Sequence, residues 1–95
     1  MKFLEKYGFN KEDINRFLEI TPEAMIKELT KEKDLVEVNL KYISSLGIDT
    51  YREIFINYPS MFFMDASVFK ETFDKYEKDS LVEKLNKNYR IVEYL

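Results

Sequence analysis

Acidic side chains are the feature of this sequence that comes nearest to a chemical site. Two acidic clusters are present, one at Glu12-Asp13 and one at Asp74, Glu77 and Asp79. Carboxylate oxygens are the ligands that Mg²⁺ and Ca²⁺ prefer, and Asp74 and Glu77 share a helix face because they are three positions apart. Lys75 and Lys78 interleave with these acids. Because alternating charge is typical of a solvated helix surface, we expect no metal site here.

The other residues that usually carry out catalysis are missing. The chain has no histidine and no cysteine, which excludes the common nucleophile–base pairs, thiolate metal sites and disulfides. The two glycines, Gly8 and Gly47, are too far apart to form a glycine-rich phosphate loop. We therefore expect no enzymatic activity, no cofactor and no small-molecule substrate.

The composition favours one folded domain spanning residues 1–95. Hydrophobic residues make up 45% of the chain and aromatic residues 16%, so the chain can bury a core although 35% of its residues are charged. No apolar run approaches the roughly 20 residues that cross a bilayer, and the charged start Met1–Lys6 does not resemble a signal peptide. We expect a cytoplasmic, soluble protein. The abundance of Lys, Ile, Asn, Tyr, Phe and Glu suggests a bacterial genome rich in AT.

The charge of the chain argues against a nucleic-acid partner. The net charge is -3, and the basic residues are spread along the sequence without a basic tail or block. Proteins that bind nucleic acid obtain much of their affinity by neutralising phosphates. A basic face assembled only by folding remains an alternative.

Apolar residues recur with helical period along nearly the whole chain. Ile14, Phe17 and Leu18 form one such stripe, and Tyr51, with Ile54 and the residues that follow, forms another. The β-branched residues are scattered rather than alternating, so we expect no sheet. The sequence therefore predicts an all-α fold of short helices.

The boundaries of these helices are marked by glycine, proline and capping residues. Gly8 and Gly47 are predicted to end helices in the left-handed conformation, and Pro59 is predicted to end the helix before it. Ser60–Met64 is expected to be a helical turn or an extended link. The predicted N-terminal caps are Asn10, Thr21 before Pro22, Thr30, Thr50 in a capping box with Glu53, Asp65, and Ser80 in a capping box with Glu83.

The pattern of glycine and proline at helix boundaries occurs more than once in the sequence, which predicts an array of helical units. Leu4-Tyr7-Gly8-Phe9 aligns with Ile43-Leu46-Gly47-Ile48, and Pro22 aligns with Pro59. A fainter third copy follows the second at an offset of 30 residues and lacks both the glycine and the proline. The predicted units cover about residues 3–37, 38–69 and, as a partial unit, 70–95. Periods of this length are typical of α-solenoids.

The second unit resembles the repeat of the mitochondrial transcription termination factor (mTERF) family. The resemblance rests on Asn39–Ile48, with its Leu-Gly-Ile turn, and on Ile54, Tyr58-Pro59 and Phe62. Residues 4–26 resemble a degenerate copy. The resemblance implies a right-handed array of three-helix units with a concave face, which in known members is basic and binds double-stranded DNA or RNA.

Two binding hypotheses from different classes follow. A protein partner, or a second copy of the chain, would contact the apolar segment Met61, Phe62 and Phe63, because methionine-rich surfaces adapt to partners. The alternative is nucleic-acid binding, for which the nearest basic residues are Lys41, Arg52, Lys70 and Arg90. The acidic balance of the chain favours a non-enzymatic protein-interaction module.

Overall fold

The computed structural model describes residues 1–95, of which 78% are helical and none form strands. The all-α prediction is confirmed. Six α-helices and three short 3-10 helices follow one another along the chain. The α-helices are α1 (Lys11–Ile20), α2 (Glu23–Lys31), α3 (Lys33–Ser44), α4 (Tyr51–Asn57), α5 (Ala66–Asp74) and α6 (Lys78–Lys87). The 3-10 helices cover Lys2–Tyr7, Pro59–Phe63 and Tyr89–Tyr94. No helix combines the length and the apolar character that crossing a membrane requires.

Several helix boundaries follow the predicted local signals. The Asn10 side chain accepts a hydrogen bond of 2.8 Å from the Asp13 amide, and the Asp13 carboxylate accepts one of 3.1 Å from the Asn10 amide. This reciprocal capping box starts α1. Asp65 caps α5 by accepting from the Ser67 amide at 3.0 Å. Gly8 and Gly47 have φ of 84° and 85°, so both predicted left-handed conformations are confirmed.

Proline marks boundaries as predicted, with one shift in register. Helix α4 ends at Asn57, and the second 3-10 helix begins at Pro59, so Ser60–Met64 is mostly a helical turn. The prediction that Thr21 caps α2 is wrong by one position. Pro22 itself precedes the first helical residue, and it makes no side-chain cap because its ring carries no hydrogen-bond acceptor.

Three predicted hydroxyl caps do not form. In two cases the hydroxyl bonds to a different carbonyl, and in the third the helix starts at an earlier residue. Thr30 lies inside α2, where its hydroxyl donates to the Ile26 carbonyl at 2.9 Å. Helix α4 begins after Thr50 as predicted, but no capping box forms, because the Thr50 hydroxyl donates to the carbonyl of Leu85 on α6 at 2.9 Å. Helix α6 starts before Ser80, since the Glu77 side chain already accepts hydrogen bonds from the first amides of this helix.

One core of buried apolar side chains holds the helices together. A continuous series of phenylalanine rings crosses it. Phe17 on α1 lies 5.0 Å from Phe55 on α4, measured between ring centroids, and Phe55 lies 5.0 Å from Phe62. The series continues to Phe69, 5.1 Å from Phe62, and to Phe73 on α5. Each such pair contributes about 0.5–1.5 kcal/mol beyond the area it buries.

A single polar side chain is buried in this core. Asn39 on α3 is 1% exposed, and its amide donates to the carbonyls of Phe62 and Met64 at 3.1 and 2.9 Å. These carbonyls end the second 3-10 helix and lack partners in that helix. Asn39 therefore ties α3 to the end of that segment.

Candidate binding surfaces

The apolar segment predicted to bind a partner faces largely inward. Phe62 is fully buried, and its ring packs between those of Phe55 and Phe69. The prediction that Phe62 contacts a partner is therefore wrong, because the ring completes the aromatic core. Met61 and Phe63 are half-buried and pack against the same core.

The basic residues of the nucleic-acid alternative are mostly engaged within the chain. The Arg52 guanidinium donates to the Gly8 carbonyl at 3.0 Å and lies 3.7 Å from the Asp13 carboxylate. The Lys70 ammonium lies 6.0 Å from the centre of the Tyr42 ring. These contacts neutralise or occupy two of the four cations that the sequence suggested.

The other two basic residues lie in different surroundings. A hydrogen bond with Tyr89 raises the pKa of Arg90, and Glu93 adds to this effect. Lys41, in the last turn of α3, makes no hydrogen bond or ion pair with another side chain. The four basic residues therefore have different neighbours. The three that make contacts, Arg52, Lys70 and Arg90, each lie beside a carboxylate or an aromatic ring.

The acidic cluster near the end of α5 is held by its neighbours. The Tyr42 hydroxyl donates to the Asp74 carboxylate, and the Lys78 ammonium lies 2.8 Å from the same oxygen. The hydrogen bond from Lys78, followed by that from Tyr42, lowers the pKa of Asp74. Burial, followed by the bond to Asp74, raises the pKa of Tyr42. Glu77 caps α6, and no group of three acidic side chains gathers in a metal-binding arrangement.

A shallow cleft opens between the first 3-10 helix and α1, and we call it the N-terminal cleft. Its volume is about 300 Å³. Leu18 lies in it with 41% of its surface exposed, although the helical stripe predicted a core position. The cleft is lined by Met1, Lys2, Glu5, Lys11, Ile14, Asn15 and Leu18.

A second, more apolar cleft lies where α6 meets the third 3-10 helix, and we call it the C-terminal cleft. Its volume is about 220 Å³. Tyr94 at its edge is 81% exposed, the highest value among the exposed large hydrophobic side chains of the chain. The cleft is lined by Tyr76, Glu77, Ser80, Leu81, Lys84, Ile91, Tyr94 and Leu95. Tyr94 lies two positions after the buried Val92 and so off the face that Val92 buries, and no pattern in the sequence singles it out as a binding residue.

The two glycine turns each contact a later helix through their carbonyl oxygens. Arg52 on α4 donates to the Gly8 carbonyl at 3.0 Å, and Asn86 on α6 donates to the Gly47 carbonyl at 3.2 Å. The carbonyls near a helix end have no partner in their own helix, so a side chain from a later helix satisfies them.

Comparison of the chain with protein-family models, with curated proteins and with solved structures finds no match.

Proposed function

We propose that the chain is a non-enzymatic module that binds proteins through the N-terminal and C-terminal clefts. The observation that carries this proposal is the exposure of large apolar side chains in these clefts, above all Leu18 and Tyr94. Exposed apolar surface that is grouped in a concavity is typical of protein-interaction sites. Aromatic anchors such as Tyr94 supply much of the binding energy at such sites.

The module is, in this proposal, an array of three-helix units of the mTERF-like kind. The matching backbone conformations of Gly8 and Gly47 support this interpretation. Further support comes from the order of the elements, since α3, α4 and the 3-10 helix at Pro59–Phe63 are followed by α5, α6 and the 3-10 helix at Tyr89–Tyr94. A repeat array offers extended concave surfaces for partners.

Protein is preferred over nucleic acid as the partner on grounds of charge. The net charge is -3, and Arg52 is already hydrogen-bonded to a backbone carbonyl and paired with Asp13. A phosphate backbone would have to compete with these internal contacts. The other three candidates, Lys41, Lys70 and Arg90, make no ion pair, but they are few beside the many phosphate contacts from which duplex binding obtains its affinity.

A peptide-display selection tests this function. A random peptide library is panned against the wild-type chain, and enriched peptides are measured against Leu18→Glu and Tyr94→Asp. We expect enriched peptides that bind the wild type and lose affinity for at least one variant, because a charge in an apolar cleft must be desolvated on binding. Val38→Glu is the matched control, since Val38 is 52% exposed and lines neither cleft.

Two results would overturn the proposal. One is the absence of enriched peptides whose binding depends on either cleft. The other is tight, salt-dependent binding of duplex DNA or RNA that is unchanged in Leu18→Glu and Tyr94→Asp, which would support the nucleic-acid alternative instead.

A further inference from the structure

A third groove is lined by the ends of α1 and α4 and by the prolines that follow them, and we call it the proline groove. Its volume is about 180 Å³. The groove is lined by Ile20, Thr21, Pro22, Met25, Ile56, Asn57 and Pro59. None of these residues lines the N-terminal or the C-terminal cleft, so the proline groove is a separate surface.

The two prolines leave carbonyl oxygens without partners at the ends of both helices. In a continuing helix, residues 22 and 59 would donate to the carbonyls of Leu18 and Phe55, but proline has no N–H. The carbonyls that accept no hydrogen bond from another backbone amide are those of Leu18, Glu19, Ile20 and Thr21 in the first unit and of Phe55, Ile56 and Asn57 in the second. Ile20, Thr21, Ile56 and Asn57 among them line the groove.

The backbone amides of the lining residues are either absent or already used. Pro22 and Pro59 have none. The Thr21 amide donates to the Phe17 carbonyl at 3.0 Å, and the Met25 amide donates to the Pro22 carbonyl at 3.0 Å. The other lining residues are the last ones of α1 and α4, whose amides bond to carbonyls within their own helices. The backbone of the groove therefore offers acceptors and no free donor.

The charges around the groove favour a cationic occupant. The free carbonyls at the ends of α1 and α4 carry the partial negative charge of a helix C-terminus, whereas Glu23 offsets the positive start of α2. Lysine occupies the last turn of α2, α3 and α6, but neither α1 nor α4 has a basic residue there. The cations nearest to the groove along α1, α2 and α4 are Arg16, Lys27 and Arg52, and each is paired with a carboxylate.

The size and the apolar walls of the groove favour a long side chain over an inorganic ion. Ile20 is 56% exposed, Met25 is half-buried and Ile56 is buried. The methylene groups of a long cationic side chain pack on such apolar surface, from which a metal ion gains nothing. The volume of about 180 Å³ is also below the roughly 300–1,000 Å³ of sites for drug-sized ligands.

We propose that the proline groove binds an arginine side chain of a protein partner. The guanidinium donates to the free carbonyls of Ile20 and Asn57, and the methylene groups pack on Ile20 and Met25. Arginine fits better than lysine, because its five donors reach two helix ends at once and its charge is more weakly hydrated. The inference goes beyond the proposed function, since it adds a third site with a ligand of its own.

Titration of labelled protein with blocked tripeptides, followed by amide chemical shifts, tests the proposal. The probe is acetyl-Ala-Arg-Ala-amide, and its controls carry lysine or the neutral citrulline in place of arginine. We expect the arginine peptide to shift the amides of Thr21, Met25 and Asn57, with a dissociation constant on the order of 1 mM. Both control peptides should bind about fivefold or more weakly, since citrulline lacks the charge that strengthens hydrogen bonds and lysine lacks the planar donors.

Ile20→Lys and Val38→Lys make a matched pair of variants. Each adds one positive charge at an exposed β-branched residue, with 56% of Ile20 and 52% of Val38 exposed, but only Ile20 lines the groove. Ile20→Lys should weaken the arginine peptide by about tenfold or more, because its own ammonium takes the place of the ligand. Val38→Lys should bind as the wild type. Because a cation is favourable at a helix C-terminus, Ile20→Lys should keep its helix content, which circular dichroism checks.

Several results would overturn the inference. These are the absence of shifts at the groove, equal binding of the citrulline or lysine peptide, and unchanged binding in Ile20→Lys. The same shifts produced by potassium chloride alone would assign the groove to an inorganic ion instead. Peptides selected by panning are assessed at Leu18 and Tyr94, so failure of the arginine peptide at the proline groove leaves the proposed function standing.

Discussion

The guanidinium of Arg52 donates a hydrogen bond of 3.0 Å to the carbonyl oxygen of Gly8, which precedes it by 44 residues. Asn86 makes the matching bond to Gly47. The carbonyls near the end of a helix have no partner in that helix, and here a polar side chain on a later helix provides one. Each turn is thereby fixed to the helix on which it packs.

Loss of the Asn86 side chain should loosen the second of these contacts. Asn86 donates to the Gly47 carbonyl at 3.2 Å and accepts from the Asp49 amide at 2.7 Å. We expect Asn86→Ala to lower the free energy of unfolding by about 1–2 kcal/mol, since two hydrogen bonds are removed. Urea denaturation measures the change. Asn15→Ala is the control, and equal values for the two variants would contradict this role for Asn86.

Alanine at Gly8 should be more destabilising than alanine at Gly47. Both residues have positive φ, so any side chain costs about 1–2 kcal/mol in backbone strain. A Cβ at Gly8 would also lie 2.9 Å from the Tyr51 hydroxyl oxygen, whereas the nearest atom at Gly47 is Val82 Cγ1 at 3.9 Å. The Tyr51 ring must move and weaken its bond to the Tyr7 carbonyl.

Parallel thermal and urea unfolding of Gly8→Ala and Gly47→Ala measure this difference. Both variants should unfold before the wild type. If Gly8→Ala proves as stable as Gly47→Ala, then the approach of Tyr51 imposes no additional cost.

Replacement of Asn39 by leucine should be among the most damaging substitutions, although leucine has a similar size. The change leaves the buried carbonyl of Phe62 and the partly buried carbonyl of Met64 without their donor. We expect the free energy of unfolding to fall by about 1–3 kcal/mol, the range expected for one buried acceptor left unsatisfied. Guanidinium denaturation gives the value. A stability equal to that of the wild type would mean that burial of an apolar side chain compensates fully.

Stability should fall in acid, in part through Asp74. Hydrogen bonds from Lys78 and then from Tyr42 lower the pKa of Asp74 below its ordinary value. A carboxylate with a lowered pKa in the folded state stabilises the fold above its unfolded pKa, and this contribution is lost as pH falls through the folded pKa. Asp74→Asn should therefore destabilise the protein at neutral pH and flatten its loss of stability below about pH 4.

Denaturant unfolding at a series of pH values checks this dependence. Asp34→Asn is the control, because Asp34 is exposed and makes no ion pair. The pKa of Asp65 is also lowered, most strongly by the hydrogen bond with the Ser67 side chain. Asp65 should therefore keep the Asp74→Asn variant partly sensitive to acid. An acid slope identical to that of the wild type would exclude a contribution from Asp74.

The sequence predicted those features that depend on neighbouring residues. Gly8 and Gly47 adopt the left-handed conformation because only glycine tolerates it cheaply, and Asn10 caps the helix that starts beside it. Features that depend on distant residues were not predictable in this way. The Thr50 hydroxyl bonds to Leu85, which lies 35 residues away, and so it forms no capping box although Thr50 precedes α4 as predicted.

The candidate surfaces were harder to predict for the same reason. Helical periodicity identifies which residues share a face but not whether another helix covers that face. Phe62 is buried because Phe55 and Phe69 enclose it, whereas Leu18 stays exposed because nothing packs over its part of α1. Local spacing treats these residues alike, so the sequence alone did not show that Phe62 belongs to the core while Met61 and Phe63 stay half-buried.

Mapping of amide chemical shifts tests most directly whether the N-terminal and C-terminal clefts are the binding surfaces. Labelled wild-type protein is titrated first with a peptide selected by panning and then, separately, with duplex DNA and duplex RNA at low salt. The account predicts that the peptide shifts amides around Leu18 or Tyr94 and that the duplexes shift none. Shifts caused by a duplex at Lys41, Arg52, Lys70 and Arg90, with the clefts unaffected by the peptide, would contradict it.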